Sequence, residues 1–435
     1  MSISAPNPDV VIIGAGPYGL SLAAHLRARG VNFRIFGIPM GFWRDLPAGI
    51  NLKSPASSTN ISVPKTPVTF SEWCRERGLE DYEPGSMESF ANYGLWIQAH
   101  FVPNVELTKV TAIARTDRGF DITLDDGSDL SAPHVIVATG LSYLDAIPAA
   151  FRELPQEISK HTFHLSDYSE YRGKRVAIVG GGASAIEAGA LVHEAGGFPE
   201  VFIREPNVLI YDRTPRYRSL RERILQPSSP IGNGKVPFLI GHFPQLPFLL
   251  PEARRLRLLH AFVPPSAPWW IKDRVVGVVP MHVASSITGA RTLEHGLSLT
   301  IRQQDQSERE QDFDSIIWGT GYEKDVSRLS FLSGDILRTM TLIEQAPKLS
   351  INFESSVGGL YFIGPMSEMS FGPITRFVAG AGFTAKSLSR HLARRVPKRR
   401  SVQPLQQQAS IPRLDDRVRQ QRADPMDVKI DERLT

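Results

Sequence analysis

The 435-residue sequence contains a single cysteine, Cys74. One thiol excludes an internal disulfide and a Cys-X-X-Cys redox pair within one chain. The sequence also lacks a run of about 20 apolar residues, the length that a membrane-spanning helix needs. Residues 1–8 do not show the basic-then-apolar pattern of a signal peptide. We therefore expect a cytoplasmic protein without a transmembrane segment.

Charge of one sign is also scarce. The formal net charge is +4 at pH 7, and the basic residues are scattered except near 213–223 and 398–400. Nucleic acid is therefore not expected as a partner. His161 and His164 are close in sequence, but two histidines alone are weak evidence for a metal ion, and we expect them to be structural. No metal site is predicted.

Near the amino terminus, residues 9–19 read DVVIIGAGPYG. Four apolar β-forming residues run into three glycines, and residues 20–29 follow with the apolar spacing of a helix. This pattern predicts the strand, glycine turn and helix of a dinucleotide-binding unit, in which the backbone approaches a pyrophosphate. The predicted cofactor contacts of this first unit are Gly14, Gly16, Pro17, Tyr18 and Gly19.

A second unit of the same kind begins at residue 174. The apolar strand 175–179 leads into a glycine turn and a helix that continues to residue 193. Its second strand, 200–203, ends at Arg204, where a guanidinium can pair with a 2′-phosphate and so favours NADPH. A surface arginine without a ligand is the alternative. The predicted contacts are Gly180, Gly182, Ala183, Ser184, Ala185 and Arg204.

Several other segments are predicted to line the cofactors. Gly37 stands where the first unit would carry a carboxylate for the adenosine ribose, so backbone groups or another side chain must hold that ribose. The polar segment 53–60 is interpreted as a cofactor loop, with a plain surface loop as the alternative. Strands 135–138, 315–318 and 360–363 each end in a small-residue turn. The contacts predicted here are Gly37, Trp43, Arg44, Lys53, Ser54, Val110, Thr139, Gly140, Thr320, Gly321 and Gly364.

Outside these motifs we expect helices at 70–78 and 89–100, capped by Ser71 and Ser89, and a terminal helix at 377–394. A strand is expected at 275–279. The basic, proline-rich segment 213–270 is expected to pack over a domain face, although an acidic substrate, a membrane surface or a partner protein are alternatives for it.

Taken together, the two glycine units resemble those of the two-dinucleotide-binding flavoproteins, and within them the class B flavin monooxygenases: flavin-containing, Baeyer–Villiger and N-hydroxylating enzymes. Further matching pieces are the sequence GFWR at 41–44, TNIS at 59–62, the segment 163–176 and TGY at 320–322. The chain departs from the family at 158–160, where its fingerprint has Phe-X-Gly, and at 364–365, where many flavoproteins carry an aspartate. The subfamily is therefore left open.

The resemblance implies an α/β fold with two Rossmann-like domains, for FAD and NADPH, a small β-rich insertion and a polar C-terminal tail. The FAD domain would comprise 1–165 and 315–395, and the NADPH domain 166–314 with the insertion at about 213–270. Residues 396–435 would form a disordered tail.

The resemblance also implies that NADPH reduces FAD, that the reduced flavin captures molecular oxygen as a hydroperoxide, and that a small molecule is oxygenated at a nitrogen, sulfur or carbonyl centre. Asn60 is the candidate catalytic hydrogen-bond donor. An FAD-dependent NAD(P)H reductase or dehydrogenase without oxygen insertion, and a flavin-binding redox sensor, are the alternatives. Neither the substrate nor the oligomeric state follows from the sequence.

Overall fold

The computed structural model describes residues 7–65, 68–82, 84–213, 215, 217–262 and 266–396. The predicted tail, apart from Val396, lies outside the described residues. No helix in the described part of the chain combines the length and the apolar composition that crossing a bilayer demands.

Five parallel strands form the first sheet. They are β1 (Val10–Ile13), β2 (Phe33–Phe36), β3 (Val105–Glu106), β7 (His134–Val137) and β20 (Leu360–Phe362). Their spatial order is β20-β7-β1-β2-β3. Helix α1 (Pro17–Ala28) joins β1 to β2 and packs against the last described helix, α13 (Ala381–Arg395). Strand β1 is wholly buried, as expected of a central strand covered on both faces.

A second sheet repeats this architecture with the strands β8 (Ser159–His161), β9 (Arg175–Val179), β10 (Phe198–Phe202), β13 (Met281–His282) and β17 (Ser315–Trp318). The order is β13-β10-β9-β17-β8, and every pair is parallel. Helix α5 (Ala183–Glu194) joins β9 to β10. The two parallel sheets confirm the predicted α/β fold class.

The remaining strands are antiparallel. One three-stranded sheet contains β4 (Val110–Thr116), β5 (Gly119–Leu124) and β6 (Asp129–Ala132), and another contains β14 (Ser286–Thr292), β15 (Leu297–Arg302) and β16 (Glu308–Phe313). Two short pairs are β11 (Ser228–Ser229) with β12 (Gly232–Asn233) and β18 (Leu342–Ile343) with β19 (Ala346–Pro347). Along the chain, each three-stranded sheet is followed directly by a strand of a parallel sheet, β7 or β17.

The prediction of a strand at 275–279 is wrong. Val275 ends helix α10 (Lys272–Val275), where its side chain is buried in the same cluster as the residues of α5. Gly277 then adopts a φ of 75°, which turns the chain towards β13. A short apolar run cannot by itself distinguish a buried helix end from a strand.

Two predicted helix caps are also wrong by a few residues. Helix α3 (Phe70–Glu76) is capped by Thr69, whose side chain accepts from the Glu72 N–H in a capping box. Helix α4 (Met87–Phe101) is capped by Ser86. The other helices are α2 (Gly41–Arg44), α6 (Leu220–Leu225), α7 (Lys235–His242), α8 (Leu246–Leu249), α9 (Glu252–Ala261), α11 (Gly334–Thr339) and α12 (Glu368–Phe371).

The proline-rich segment 213–270 is mainly helical where the structure describes it, from α6 to α9. Arg255 on α9 is buried, and its Nε donates to the Met369 carbonyl at 2.7 Å. Its Nη1 donates to the carbonyls of Leu250 and Phe248 at 3.2 and 3.4 Å. A buried guanidinium requires such acceptors, so this side chain fastens the segment to α12.

Candidate active site

The two glycine turns are built alike. Gly14 has a φ of 114°, and a Cβ atom added to it would lie 2.3 Å from the carbonyl oxygen of Ala138. Gly180 has a φ of 141°, and its added Cβ would lie 2.4 Å from the carbonyl oxygen of Gly319. In both units the turn therefore presses against the end of the neighbouring strand, β7 or β17, and only glycine fits.

The helix that follows each turn also packs closely on the end of the neighbouring strand. Glycine and alanine occupy opposite positions at this contact in the two units. In the first unit the helix supplies Gly19, whose added Cβ would lie 1.9 Å from the Gly14 oxygen, and the strand end supplies Ala138. In the second unit the helix supplies Ala185 and the strand end supplies Gly319, whose added Cβ would lie 2.5 Å from the Ala185 Cβ. Each junction thus has room for one methyl group.

The middle glycines behave differently. Gly16 has φ −84° and ψ −170°, and Gly182 has φ −88° and ψ 171°, which are extended conformations open to any residue. A Cβ added to either glycine would meet no atom within 4 Å. Neither glycine is required by the polypeptide itself. Each leaves an open cradle at the start of a 12-residue helix whose first N–H groups have no side-chain cap, a site suited to a phosphate.

The turn after β7 contributes an unpaired polar atom. The Thr139 hydroxyl oxygen is buried and has no hydrogen-bond partner among the described residues. Gly140 beside it has a φ of 65° and open space around its α-carbon. An orphaned buried hydroxyl is uncommon in a folded protein, so a ligand at this edge would satisfy it.

The corresponding turn after β17 is held by the protein. The Thr320 hydroxyl donates to the Ala146 carbonyl. The Nε2 atom of His161 lies 3.0 Å from the Gly321 carbonyl, and its Nδ1 accepts from the Phe163 N–H at 3.1 Å. These partners require the neutral tautomer with the proton on Nε2, and burial lowers the pKa of His161 to about 4. His161 therefore positions the turn as a neutral donor.

The structure places His164 on the surface, 3.3 Å from an Asp145 carboxylate oxygen. The described ranges contain no group of three or more His, Cys, Asp or Glu residues arranged to hold a metal ion.

Asn60 lies in a loop that packs on α1. Its Nδ2 donates to the Ser57 carbonyl at 2.8 Å, and its Oδ1 accepts from the Phe70 N–H, also at 2.8 Å. Two residues later, the Ser62 N–H donates to the Ser21 hydroxyl on α1. Asn60 thus joins its loop to the first residue of α3. These two bonds use one Nδ2 hydrogen and the Oδ1 atom, so donation of the second Nδ2 hydrogen to a ligand stays a prediction.

The other predicted contacts occupy varied environments. The Trp43 ring packs edge-on against Phe90, with 4.8 Å between centroids, and the Arg44 side chain is exposed. Val110 is buried in the hydrophobic core, so its side chain faces packed protein. Gly364 has a φ of 75° and lies beside the Tyr18 ring. The remaining positions, Pro17, Gly37, Ser54, Ala183 and Ser184, lie in or beside the two glycine turns or in the 53–60 loop.

Two further residues connect the loop to the second unit. Glu187 on α5 is 3% exposed, and its Oε1 has no hydrogen-bond partner among the described residues. Burial raises the pKa of this carboxyl, and the Lys53 ammonium group opposes that rise. The Lys53 side chain itself is exposed. The sequence indicated Lys53 but gave no signal for Glu187, which occupies an ordinary core position of a helix.

The Tyr18 side chain points away from the cradle at Gly16 and is held by other parts of the chain. Its hydroxyl shares its one hydrogen between the carbonyls of Thr375 and Phe377, which lie 2.9 and 2.8 Å away. This contact ties the first turn of α1 to the segment that precedes α13.

Residues 11–227 match the family model described as pyridine nucleotide-disulphide oxidoreductase. L-ornithine N(5)-monooxygenase from Ajellomyces capsulatus is 28% identical over 217 residues, which cover 41% of this chain and 44% of that protein. Over about half of its length the chain is thus similar to two-dinucleotide-binding flavoproteins. Its alignments to three curated relatives span 38% to 45% of their lengths, so the chain covers less than half of each.

Two solved structures share the fold of this chain. Ornithine hydroxylase from Pseudomonas aeruginosa superposes with a TM-score of 0.71 at 18% identity, covering 89% of this chain and 99% of that one. Bacillithiol disulfide reductase from Staphylococcus aureus superposes with a TM-score of 0.60 at 17% identity, covering 89% and 98%. Because a monooxygenase and a reductase share this architecture, the fold alone does not decide the reaction.

Proposed function

We propose that this flavoprotein is an FAD- and NADPH-dependent monooxygenase that oxygenates a nitrogen, sulfur or carbonyl centre of a small molecule. One observation carries the proposal: Gly16 and Gly182 form open cradles at the starts of two helices, on two separate parallel sheets. Two such cradles suit two dinucleotides. The remaining partners would be a small-molecule substrate and molecular oxygen. The proposal of a cytoplasmic location rests on the sequence alone.

The first unit fits FAD and the second fits NADPH. The uncapped amides of α1 and the unpaired Thr139 hydroxyl would face the FAD phosphates and ribose. In the second unit, Arg204 follows β10 with a side chain that is 85% exposed and so accessible to a 2′-phosphate. Glu205 lies 3.8 Å from Arg204 and would have to give way to that phosphate. The cofactor pair would supply hydride transfer and oxygen activation.

Residues of the chain would hold the segments around these cofactors in place. Neutral His161 holds the turn that contains Gly321, and the Tyr18 hydroxyl holds the segment before α13. Asn60 fixes the loop that begins at Lys53. Preorganised backbone of this kind lets a site act without rearranging at the moment of reaction.

A disulfide reductase is disfavoured by the chemistry of the one thiol. Cys74 is fully buried on α3, and burial raises its pKa to about 11, so at neutral pH it is a protonated thiol. A reductase that passes electrons to another acceptor is the second candidate. The departure from the monooxygenase fingerprint at 158–160 allows it: Ser159 and Lys160 lie in β8, and Lys160 pairs with Glu170 at 2.7 Å.

The test follows the flavin and the oxygen together. The purified protein should carry an oxidised-flavin absorbance spectrum that NADPH bleaches anaerobically. Admission of oxygen with a panel of amines, sulfides and ketones should give an oxygenated product and less hydrogen peroxide per NADPH for at least one compound. Rapid anaerobic reduction with no product and stoichiometric peroxide throughout the panel would establish the reductase instead.

A further inference from the structure

A cavity of about 550 Å³ lies where the proline-rich segment meets both dinucleotide units. Leu259 on α9 forms one wall, Tyr322 and Lys324 after β17 form another, and Met369 and Arg376 from the α12 region form the third. Tyr322 directly follows the Thr320–Gly321 turn of the second unit. The cavity is therefore adjacent to the candidate active site without being part of either glycine turn.

A buried carboxylate organises the floor of this cavity. Glu368 is 1% exposed, and its two oxygens each receive one cation: Lys324 Nζ lies 2.8 Å from Oε1, and Arg376 Nε lies 2.9 Å from Oε2. Two cations on one carboxylate leave a net charge of +1. Within the part of the chain that the structure describes, no second acceptor is recorded for the Lys324 ammonium or for the terminal nitrogens of Arg376.

The other two acids that line the cavity have partners of their own. Glu323 lies 3.5 Å from both Arg152 and Arg328, and its side chain is 48% exposed. Glu344 lies 3.2 Å from His260 and is 44% exposed. Water solvates and screens both carboxylates at such exposures. Lys324 and Arg376 are less exposed, at 18% and 30%, so the inner end of the cavity is its cationic end.

The charged floor is also near the first unit. The Glu368 carboxylate contributes to raising the pKa of the Tyr18 hydroxyl on α1, after burial itself. Tyr322 lines the cavity from the second unit, and the Tyr18 hydroxyl of the first unit bonds the backbone on either side of Arg376. A molecule bound here would therefore contact both the cationic floor and Tyr322.

We infer that this cavity binds the substrate and that Lys324 and Arg376, held in place by Glu368, receive a carboxylate of that substrate. That the bound molecule is a substrate rests on the proposed function, but the presence of an anion site does not. A planar guanidinium with free terminal N–H groups suits a carboxylate, and the buried Glu368 removes the need to order either cation during binding. Lys324 and Arg376 would bind a neutral amide of the same shape more weakly than the carboxylate, because the amide leaves their excess positive charge unpaired.

The test measures binding without turnover. Isothermal titration of the flavin-loaded protein would compare acetate, hexanoate and phenylacetate with their primary amides. At least one carboxylate should bind about tenfold or more tightly than its amide, and Arg376→Gln should abolish that preference because it removes a charge-assisted pair. Arg376→Lys keeps a cation on Glu368 and should retain part of the preference. Arg152→Gln is the matched control at the rim and should leave the preference intact.

Two readouts separate structural damage from loss of the site. Flavin content and the anaerobic rate of flavin reduction by NADPH should be unchanged in Arg376→Gln. Equal binding of carboxylates and amides, failure of all three carboxylates to bind, or equal losses in Arg376→Gln and Arg152→Gln would overturn the inference. If oxygenation fails for every compound but carboxylate selectivity persists, the proposed function is wrong and the anion site stands. If neutral compounds are oxygenated and carboxylates are not preferred, only the inference is wrong.

Discussion

The open cradle at Gly16 makes a sharp prediction about FAD. A Cβ at this position meets no atom of the chain within 4 Å, and the backbone is already extended. Gly16→Val should therefore leave the flavin-free protein with a stability within about 0.5 kcal/mol of the parent, as for a surface substitution. In the flavin complex the valine methyls would occupy the space that the pyrophosphate must enter.

The expected loss follows from the contacts that the valine blocks. One backbone hydrogen bond to a charged phosphate contributes about 1.5–3 kcal/mol. Losing one such bond weakens FAD binding by about 10- to 100-fold. The assay is fluorescence titration of FAD into stripped protein, with melting temperatures of the stripped forms alongside, because bound flavin would itself raise them.

Two other glycines serve as controls. Gly182→Val enters the equally open cradle of the second unit and should spare FAD while weakening NADPH. Gly14→Ala should destabilise the stripped protein by at least about 2 kcal/mol, since its Cβ would lie 2.3 Å from a carbonyl oxygen and its φ is 114°. Full FAD affinity in Gly16→Val would refute the assignment. Loss of FAD in Gly182→Val alone would show that the two units are reversed.

Four further outcomes are expected. Arg204→Glu should lower the preference for NADPH over NADH in anaerobic flavin reduction by about 10- to 100-fold; equal use of both nucleotides by the parent would contradict the phosphate role. Asn60→Ala breaks the hydrogen bonds to Ser57 and Phe70 and should lower the free energy of unfolding by about 1–2 kcal/mol. A rise in hydrogen peroxide released per NADPH would support the predicted donor role, and an unchanged ratio would contradict it. The pKa values of buried His25 and His161 are lowered from 6.5 to about 4, so between these pH values only the unfolded chain binds the protons. The free energy of unfolding should therefore be highest above about pH 6.5 and fall towards pH 4, by up to about 3 kcal/mol per histidine. Urea unfolding should show a shallower fall for His161→Gln, and a free energy that does not change with pH would contradict the assignment. Cys74 should resist iodoacetamide in the native protein at pH 8 and react only after unfolding, which mass spectrometry would show.

Residues close together in the chain carried most of what could be predicted about the fold. The strand, glycine turn and helix at Gly14 and at Gly180 follow from local constraints: apolar runs form buried strands, and a φ above 100° requires glycine. The predicted strand at 360–363 and the helix at 89–100 hold for the same reason, with boundaries displaced by a few residues. The strand at 275–279 failed because an apolar run of that length also fits a buried helix end.

Only the tertiary structure decided which distant residues meet. Gly319 pairs with Ala185 and Ala138 with Gly19, yet no local pattern links either pair, because each depends on how a helix start lies over a neighbouring strand end. The floor of the cavity joins Lys324, Glu368 and Arg376 across 44 and 8 sequence positions, so no helical or strand period could indicate it. The sequence by itself determined that two dinucleotide units exist. The folded chain determined which charges face the space between them, because a buried carboxylate is stable only where packing brings its cations within hydrogen-bond distance.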